Sequence, residues 1–331
     1  MRSIDIHAHL IPQCFWKTTE SRGDWHSVRR EQDTRGREFL VIGDSRSQLI
    51  PKARWTPEQR LDEMDSLGVD IQVVSPYSSL YNYHLDTPVT VATSQDSNNE
   101  IADMVTAWPD RFAGLGTLPM QDVGAAITEL ERIMALPGFK GAMIDDKING
   151  RTLDEPEFLP FWKTAERAGA LILFHQSGET VVSSRIRRYH LPNTIGNLAD
   201  RAVTFGSLVY GGVMDACPDL KICLSHGGGY TCQGIGRMDR GWQTRPDAQV
   251  NITKAPSTYL NRFYYDCIVY TEAALRFLID SVGIGQVIFG TDWPFDMDFD
   301  WPVSWIQSLD CITQDEKEAI LWKNLEALLG L

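Results

Sequence analysis

The chain has 331 residues and a formal net charge of −13, and 43% of its residues are hydrophobic. A charge of this sign repels a phosphate backbone, so nucleic acid is excluded as an expected partner. No apolar run reaches the ~18 residues needed to span a bilayer, and MRSIDIHAHLIP lacks the features of a signal peptide. We therefore expect no membrane contact and a cytoplasmic protein.

The six cysteines include no CxxC pair and are expected to be free thiols.

Short β-branched runs recur along the chain, and helix-like stretches follow most of them. The predicted strands are Ser3–His9, Val69–Pro76, Arg111–Pro119, Gly138–Ile144, Ala170–Gln176, Lys221–Gly227, Phe263–Tyr270 and Gln286–Asp292. The predicted helices are Pro57–Leu67, Thr93–Ala107, Val123–Ala135, Glu155–Ala168, Ile195–Ala216, Thr271–Asp280 and Gln314–Leu328. Runs such as VVSP and VIFG are almost entirely apolar, as strands of a parallel sheet covered on both faces are. Eight such units predict an α/β fold, a (β/α)8 TIM barrel in one domain over residues 1–331, with a doubly wound open sheet as the alternative.

The segment between the first strand and the first predicted helix, residues 12–54, is far longer than an ordinary βα loop. It contains REFLVIG, which predicts a strand of a small hairpin. Long loops at the carboxyl end of a strand often build the active site. We therefore expect residues 12–54 to form a small inserted region beside the site.

Polar residues end several of the predicted strands. His7 and His9 end the first strand, His175 the fifth, His226 the sixth and Asp292 the eighth. The carboxyl ends of barrel strands share one rim, where enzymes of this fold carry their active sites. A single histidine at a strand end is more often structural, but the coincidence of five positions favours a metal site. Imidazole and carboxylate ligands suit Zn²⁺ or a similar first-row ion.

The remaining histidines, His26, His84 and His190, lie in polar, loop-like stretches and are expected at the surface or at a pocket rim. The SHGGGY segment at 225–230 allows two interpretations. Its glycines could let a substrate lie against the backbone beside His226, or they could form a tight turn before a helix.

The motifs, taken together, resemble a known family. They are DIHAH at the start, RFAGLGTLPMQ at 111–121, LFH at 173–175, SHGGG at 225–229, GR at 236–237 and GTDWPF at 290–295. In this order they are similar to the α-amino-β-carboxymuconate-ε-semialdehyde decarboxylase family, a branch of the amidohydrolase superfamily. The likeness runs from the first strand to the closing NLEALLGL.

The resemblance implies a distorted (β/α)8 barrel with one divalent metal ion, usually Zn²⁺, and O₂-independent decarboxylation of an unsaturated or aromatic acid. By position, the implied metal ligands are His7, His9, His175 and Asp292. His226 is the implied acid/base that hydrogen-bonds the metal-bound water, and Asp292 is a second catalytic candidate because it could share a proton with that water. In the family, the arginine of GR pairs with a substrate carboxylate across a dimer interface. That role falls on Arg237, and a homodimer is expected.

The chain departs from the family pattern around the substrate. Gln48 stands where the family carries a second carboxylate-binding arginine, with Arg46 two residues away as a substitute. Ser177 replaces the tryptophan of the HPW motif, and Asn193 replaces a pocket tryptophan. The candidate substrate-binding residues are Arg237, Gln48, Asn193 and Phe295. These changes indicate a small carboxylate substrate different from the carboxymuconate semialdehyde.

Two other functions remain open at this point. One is hydrolysis or hydration of a related ring-cleavage product, a lactone or an ester with the same metal. The other is a small-molecule binding protein that has lost catalysis, but such a protein would be expected to lack a ligand, and none is missing. The sequence leaves Mn²⁺ and Co²⁺ open beside Zn²⁺. We expect a metal-dependent decarboxylase, a carbon–carbon lyase.

Overall fold

A computed structural model describes residues 2–21 and 23–331. The strands are β1 Ile4–Leu10, β2 Val28–Gln32, β3 Glu38–Ile42, β4 Ser45–Gln48, β5 Ile71–Pro76, β6 Phe112–Gly116, β7 Phe139–Ile144, β8 Leu171–Phe174, β9 Lys221–Leu224, β10 Tyr264–Asp266 and β11 Val287–Ile288. The α-helices are α1 Gln13–Thr19, α2 Pro57–Leu67, α3 Thr87–Ala107, α4 Val123–Met134, α5 Leu159–Arg167, α6 Leu198–Tyr210, α7 Val213–Ala216, α8 Thr231–Thr244, α9 Glu272–Val282, α10 Pro302–Ser308, α11 Gln314–Glu318 and α12 Asn324–Leu329.

Eight of the strands form one curled parallel sheet in the order β1-β5-β6-β7-β8-β9-β10-β11. Each of the eight predicted strands overlaps one of these strands, and the predicted α/β class is confirmed. Neighbours follow one another in chain order, without the reversal that defines a doubly wound sheet. Backbone hydrogen bonds also join β1 to the segment that follows the last strand, β11. The N–H of Ile6 donates to Phe289 O at 3.0 Å, and the N–H of Asp292 donates to His7 O at 2.8 Å.

The sheet lies inside a layer of helices that cover its outer face. The strand residues of β8, LILF, are all fully buried, because helices shield one face and the facing strands shield the other. In α4, Ala126, Leu130 and Ile133 recur at helical spacing and are fully buried. Burying a leucine or isoleucine of this kind contributes about 1.5–3 kcal/mol relative to leaving it exposed. This packing fixes the strand ends that carry the polar cluster.

A second sheet of three antiparallel strands, β2-β3-β4, lies within residues 28–48. The predicted strand REFLVIG corresponds to β3, whereas the flanking strands VRREQ and SRSQ were not predicted because they carry no apolar run. Helix α1 was also missed. Its Phe15 and Trp16 pack with Trp25 and Leu40 in a small core of their own.

Several further helices differ from the predictions. Helix α10 was not predicted, and α3 begins at Thr87 instead of Thr93. Helix α8 was not predicted, since TCQGIGRMDRGWQT contains three glycines that weaken a helical pattern. The predicted helix Ile195–Ala216 is divided into α6 and α7 at Gly212, whose φ is +80°. The predicted helix Gln314–Leu328 contains a π-helical segment, Ala319–Lys323, between α11 and α12. Among the described residues, no helix combines the length and apolar character that crossing a membrane requires.

Candidate active site

Four side chains predicted as metal ligands converge at the carboxyl ends of the parallel strands. The Oδ1 atom of Asp292 lies 3.2 Å from His7 Nε2, 3.2 Å from His9 Nε2 and 3.7 Å from His175 Nε2. One ligand atom from each of the four residues falls within 4.8 Å of all the others, and all four residues are buried. We refer to these residues as the His–Asp cluster.

The second ring nitrogen of each clustered histidine has a partner of its own. His7 Nδ1 lies 2.7 Å from Asp266 Oδ2, and His9 Nδ1 lies 3.2 Å from Ser75 Oγ. His175 Nδ1 lies 3.1 Å from the carbonyl of Gln176. Such contacts orient an imidazole so that its other nitrogen is available as a ligand. His7 Nε2 is buried and has no hydrogen-bond partner among the described residues. The donor set therefore fits a divalent metal ion.

The backbone positions both ends of the cluster. A β-bulge interrupts the pairing of β1 with β5 between Asp5 and Ala8, beside His7. Bulges of this kind often re-aim side chains next to active sites. Asp292 has a φ of +64°, a left-handed conformation that is uncommon outside glycine. Its N–H donates to the carbonyl of His7, which ties the two segments together.

His226 lies beside the His–Asp cluster, with its ring centre 5.3 Å from that of His7 and 5.4 Å from that of His175. Its Nε2 is 3.5 Å from Asp292 Oδ2, and its side chain is 10% exposed. Three glycines follow, and α8 begins at Thr231, so the structure has the tight turn before a helix. A Cβ on Gly229 would lie 2.1 Å from Leu198 O. The glycines therefore serve close packing that holds His226 beside Asp292.

Burial and neighbouring charges shift the pKa values of the clustered groups in different directions. Burial lowers the pKa of His7, but the carboxylates of Asp292 and Asp266 outweigh it and raise that pKa to about 10. Burial lowers the pKa of His9 to about 4 and of His175 to about 3, with Asp292 opposing. Despite its own burial, Asp292 has a pKa well below its usual value because His7 and the other imidazoles stabilise its charge. Metal binds neutral imidazoles and ionised carboxylates. His9, His175 and Asp292 are already in these forms. His7 would release a proton when a metal ion binds.

A cavity of about 1080 Å³ opens onto the cluster. Of the predicted substrate-binding residues, Gln48, Asn193 and Phe295 line it, and the Phe295 ring lies 5.2 Å from that of His9. Arg237 is exposed on α8 and does not line it. Arg46 also lies outside the lining, stacked on Phe39 at 3.6 Å from the ring centre.

The other predicted histidines lie away from the cluster. His26 Nε2 is 2.7 Å from Asp96 Oδ2 at the protein surface. His84 and His190 are exposed and belong to the cavity lining. Their positions agree with the surface or pocket-rim roles expected from the sequence.

Sequence reasoning missed two buried carboxylates. Asp266 lies at the end of β10 and contacts His7, and Asp145 follows β7 in the cavity wall. Asp145 directly follows the predicted strand Gly138–Ile144, so a search for carboxylates at predicted strand ends would have found it. Asp266 lies inside the predicted strand Phe263–Tyr270, and only the structure shows that β10 ends there.

A family model described as "Amidohydrolase" matches residues 4–331. The chain belongs to the amidohydrolase family. It is 33% identical to a 2-amino-3-carboxymuconate-6-semialdehyde decarboxylase of Dictyostelium discoideum, an alignment that covers 99% of this chain and 91% of the relative. The predicted resemblance to the aminocarboxymuconate semialdehyde decarboxylase branch of the amidohydrolases is therefore confirmed.

Solved amidohydrolase structures have the same fold. The 5-carboxyvanillate decarboxylase LigW from Sphingomonas paucimobilis superposes with a TM-score of 0.84 at 25% identity, covering 100% of this chain and 99% of that chain. A dihydroxybenzoic acid decarboxylase from Polaromonas sp. JS666, with bound manganese and the inhibitor 2-nitroresorcinol, gives a TM-score of 0.78 at 23% identity. That alignment covers 100% of this chain and 97% of that chain. The predicted enzyme class, a metal-dependent carboxy-lyase of the amidohydrolase superfamily, is confirmed, and the hydrolase alternative is not favoured.

Proposed function

We propose that this chain removes CO₂ from a hydroxylated aromatic acid at the cavity beside the His–Asp cluster, with a divalent ion held by His7, His9, His175 and Asp292. The single observation that carries the proposal is the convergence of three imidazoles and one carboxylate within 4.8 Å at the inner end of a cavity. When bound there, a divalent ion would act as a Lewis acid toward a substrate oxygen. We propose Zn²⁺, since three imidazoles and a carboxylate are a typical zinc donor set.

His226 is the acid that we assign to the reaction. Decarboxylation breaks the bond between the ring carbon and the carboxylate, CO₂ leaves, and a proton takes its place on the carbon. Because His226 lines the cavity 3.5 Å from Asp292 Oδ2, it can hold that proton at Nε2 and deliver it. The negative charge of Asp292 would stabilise the protonated imidazole.

The aromatic wall next to the cluster supports a ring-shaped substrate. Tyr77 and Phe295 line the cavity with ring centres 4.7 Å apart, and Phe295 packs against His9. Aromatic rings prefer offset or edge-to-face contacts with one another. Gln48 and Asn193 supply polar groups elsewhere in the lining. We assign Phe295 to ring packing and the two amides to polar substituents.

Arg237 is assigned to a second copy of the chain. It is exposed on α8 and does not line the cavity of its own chain. We propose a homodimer in which Arg237 pairs with a substrate carboxylate in the partner's cavity. Mixing inactive Arg237→Ala with inactive His226→Ala protein should restore part of the activity, since a mixed dimer would contain one complete site. The absence of restored activity in a mixed dimer verified by mass would contradict the assignment.

We also propose that residues 1–331 form one domain, a distorted (β/α)8 barrel with residues 12–54 as an insertion. The hydrogen bonds that join β1 to the segment after β11 support closure of the sheet. The family match over residues 4–331 supports a single domain. The three-stranded sheet at 28–48 supports the insertion.

The function is tested by CO₂ release from a panel of acids taken from the names of the relatives. The panel comprises 2-amino-3-carboxymuconate 6-semialdehyde, 2,6-dihydroxybenzoate and 5-carboxyvanillate, each tested with Zn²⁺-loaded and Mn²⁺-loaded protein. We expect turnover of a hydroxylated aromatic acid, and loss of more than 100-fold in kcat for His226→Ala and Asp292→Ala. Full activity of metal-free protein, or of either variant, would overturn the proposal.

A further inference from the structure

The cavity wall contains a buried carboxylate that the proposed reaction does not use. Four acidic residues line the cavity, and two of them, Glu179 and Asp296, are exposed. Asp292 belongs to the His–Asp cluster. The fourth, Asp145, follows β7 and is only 6% exposed. A carboxylate held in this position needs a physical reason, since acidic side chains are seldom buried without a partner.

The two oxygens of Asp145 have different surroundings. Oδ1 accepts hydrogen bonds from the backbone N–H groups of Asp146 at 2.8 Å and Ser177 at 3.2 Å. Oδ2 accepts none from the residues that the structure describes, and it is not sealed among the fully buried atoms. Because Asp145 lines the cavity, Oδ2 is the acceptor that this residue leaves open to a ligand.

The positive charges near Asp145 are Lys147 and Arg201, and both are hydrogen-bonded to other groups. The Nζ atom of Lys147 donates to the carbonyl oxygen of Glu179. Asp146 accepts hydrogen bonds from the buried guanidinium of Arg201 and from the hydroxyl of Thr204. The same Nη2 atom of Arg201 donates to Gln176 Oε1 at 2.9 Å. Asp146 and the Nη2 atom of Arg201 are therefore paired within the protein, whereas Asp145 Oδ2 is not.

We propose that Asp145 determines specificity by accepting, at Oδ2, a hydrogen bond from a ring hydroxyl of the aromatic acid. This inference rests on the proposed function, because it assigns the substrate a ring and places that ring in the same cavity. The carboxylate would favour hydroxylated rings over rings that lack a donor. It would also disfavour rings with an acceptor at the same position, since two acceptors repel each other.

Asparagine at this position reverses one hydrogen bond and leaves the rest in place. In Asp145→Asn, the amide oxygen can still accept from the N–H groups of Asp146 and Ser177. The NH₂ group then occupies the position of Oδ2, so an acceptor becomes a donor at the same size. Asp298→Asn is the matched control. It makes the same change at a partly buried carboxyl near Asp292, but Asp298 does not line the cavity.

The test measures binding by calorimetry to Zn²⁺-loaded and Mn²⁺-loaded full-length protein. The probes are 2-nitroresorcinol, the inhibitor bound to the Polaromonas relative, and nitrobenzene, which lacks both hydroxyls. We expect the wild type to prefer 2-nitroresorcinol. In Asp145→Asn this preference should fall about tenfold or more, equivalent to about 1.4 kcal/mol, with nitrobenzene affinity and metal content unchanged. Asp298→Asn should keep the wild-type preference.

Several results would overturn the inference: no preference in the wild type, no binding of 2-nitroresorcinol, an unchanged preference in Asp145→Asn, or an equal loss in Asp298→Asn. Asp145→Ala provides a second variant that removes the acceptor, and it should lose the preference as well.

CO₂ release is measured separately. Selective binding without CO₂ release from any acid would refute the decarboxylase and not the role of Asp145. Turnover with an unchanged preference in Asp145→Asn would refute only the role of Asp145.

Discussion

The Nδ1 atom of His7 lies 2.7 Å from Oδ2 of Asp266, and both side chains are completely buried although the residues are 259 positions apart. The same carboxylate accepts hydrogen bonds from the N–H groups of His226 at 3.0 Å and Gly227 at 2.8 Å. Asp266 therefore fixes the position of His7, a proposed metal ligand, relative to the backbone of His226, the proposed acid.

The variant Asp266→Asn should weaken metal binding by about 10–100-fold, the usual effect of losing an outer partner of a metal ligand. Oδ2 faces His7 and the N–H of His226, and Oδ1 faces the N–H groups of Gly227 and Ile268. In either orientation of the asparagine side chain, its NH₂ group would face N–H donors and could not accept their hydrogen bonds. Competition with a chelating dye measures the affinity, and hydrogen exchange should become faster at the amides of residues 226 and 227.

Asp200→Asn is the control for this variant, because Asp200 is a buried carboxylate that accepts from the N–H of Val181, away from the His–Asp cluster. It should bind metal as the wild type does. Wild-type metal affinity in a folded Asp266→Asn protein would show that Asp266 does not position His7.

Regular strand ends made much of the fold and the cluster predictable. The strands of the parallel sheet are apolar on both faces, so their carboxyl ends could be placed to within a few residues, and His7, His9, His175 and Asp292 follow from those ends. Gln48 and Phe295 were identified as candidate cavity residues through the family resemblance, and they line the cavity.

Contacts between distant segments were not predictable in the same way. The pairing of Asp266 with His7 joins residues that no local pattern relates. The position of Asp145 follows from the end of a predicted strand, but its unpaired oxygen is visible only once the cavity is known. Helix α8 carries glycines that oppose a helical pattern, and tertiary packing overrides that local preference.

Removal of the metal should abolish CO₂ release and lower the melting temperature. An ion that binds only the folded protein stabilises it by about 2.7 kcal/mol at 100 times its Kd. Chelator-treated protein should regain both properties when Zn²⁺ or Mn²⁺ is added back, as measured by CO₂ release and calorimetry.

His9→Ala should retain less than one ion per chain. His26→Ala should bind one ion, since His26 pairs with Asp96 outside the cluster. Equal metal content in both variants would contradict the ligand assignment.

Asp145 should make stability depend on pH. Burial raises its pKa from 3.8 to about 7, against the opposing effects of Lys147, the Ser177 N–H and Arg201. The folded protein therefore holds this proton more tightly than the unfolded chain does. The resulting stabilisation is complete below pH 3.8 and is lost as the pH rises through about 7. Each pKa unit corresponds to about 1.4 kcal/mol.

Asp145→Asn removes this titration, so its melting temperature should rise relative to that of the wild type between pH 5 and pH 8. Other groups titrate in both proteins and cancel in the difference. A difference in melting temperature that stays constant over this range would show that the Asp145 carboxyl does not titrate there. If Asp145→Asn is more stable than the wild type and has lost the ligand preference, the Asp145 carboxylate lowers stability and is retained because it recognises the ligand.

Gly229→Ala should displace His226 without removing the metal site. Gly229 has a φ of +58°, and its added Cβ would lie 2.1 Å from the backbone oxygen of Leu198, which cannot rotate away. The strain should cost on the order of 2 kcal/mol or more.

Because the N–H of Gly229 donates to His226 O at 3.0 Å, the imidazole should move with the turn. We expect kcat to fall at least tenfold with one ion still bound per chain. Gly285→Ala, at an exposed position with nothing within 4 Å of the added Cβ, should leave kcat unchanged and raise stability by up to about 1 kcal/mol. Wild-type stability and kcat in Gly229→Ala would show that the turn does not hold His226 in place.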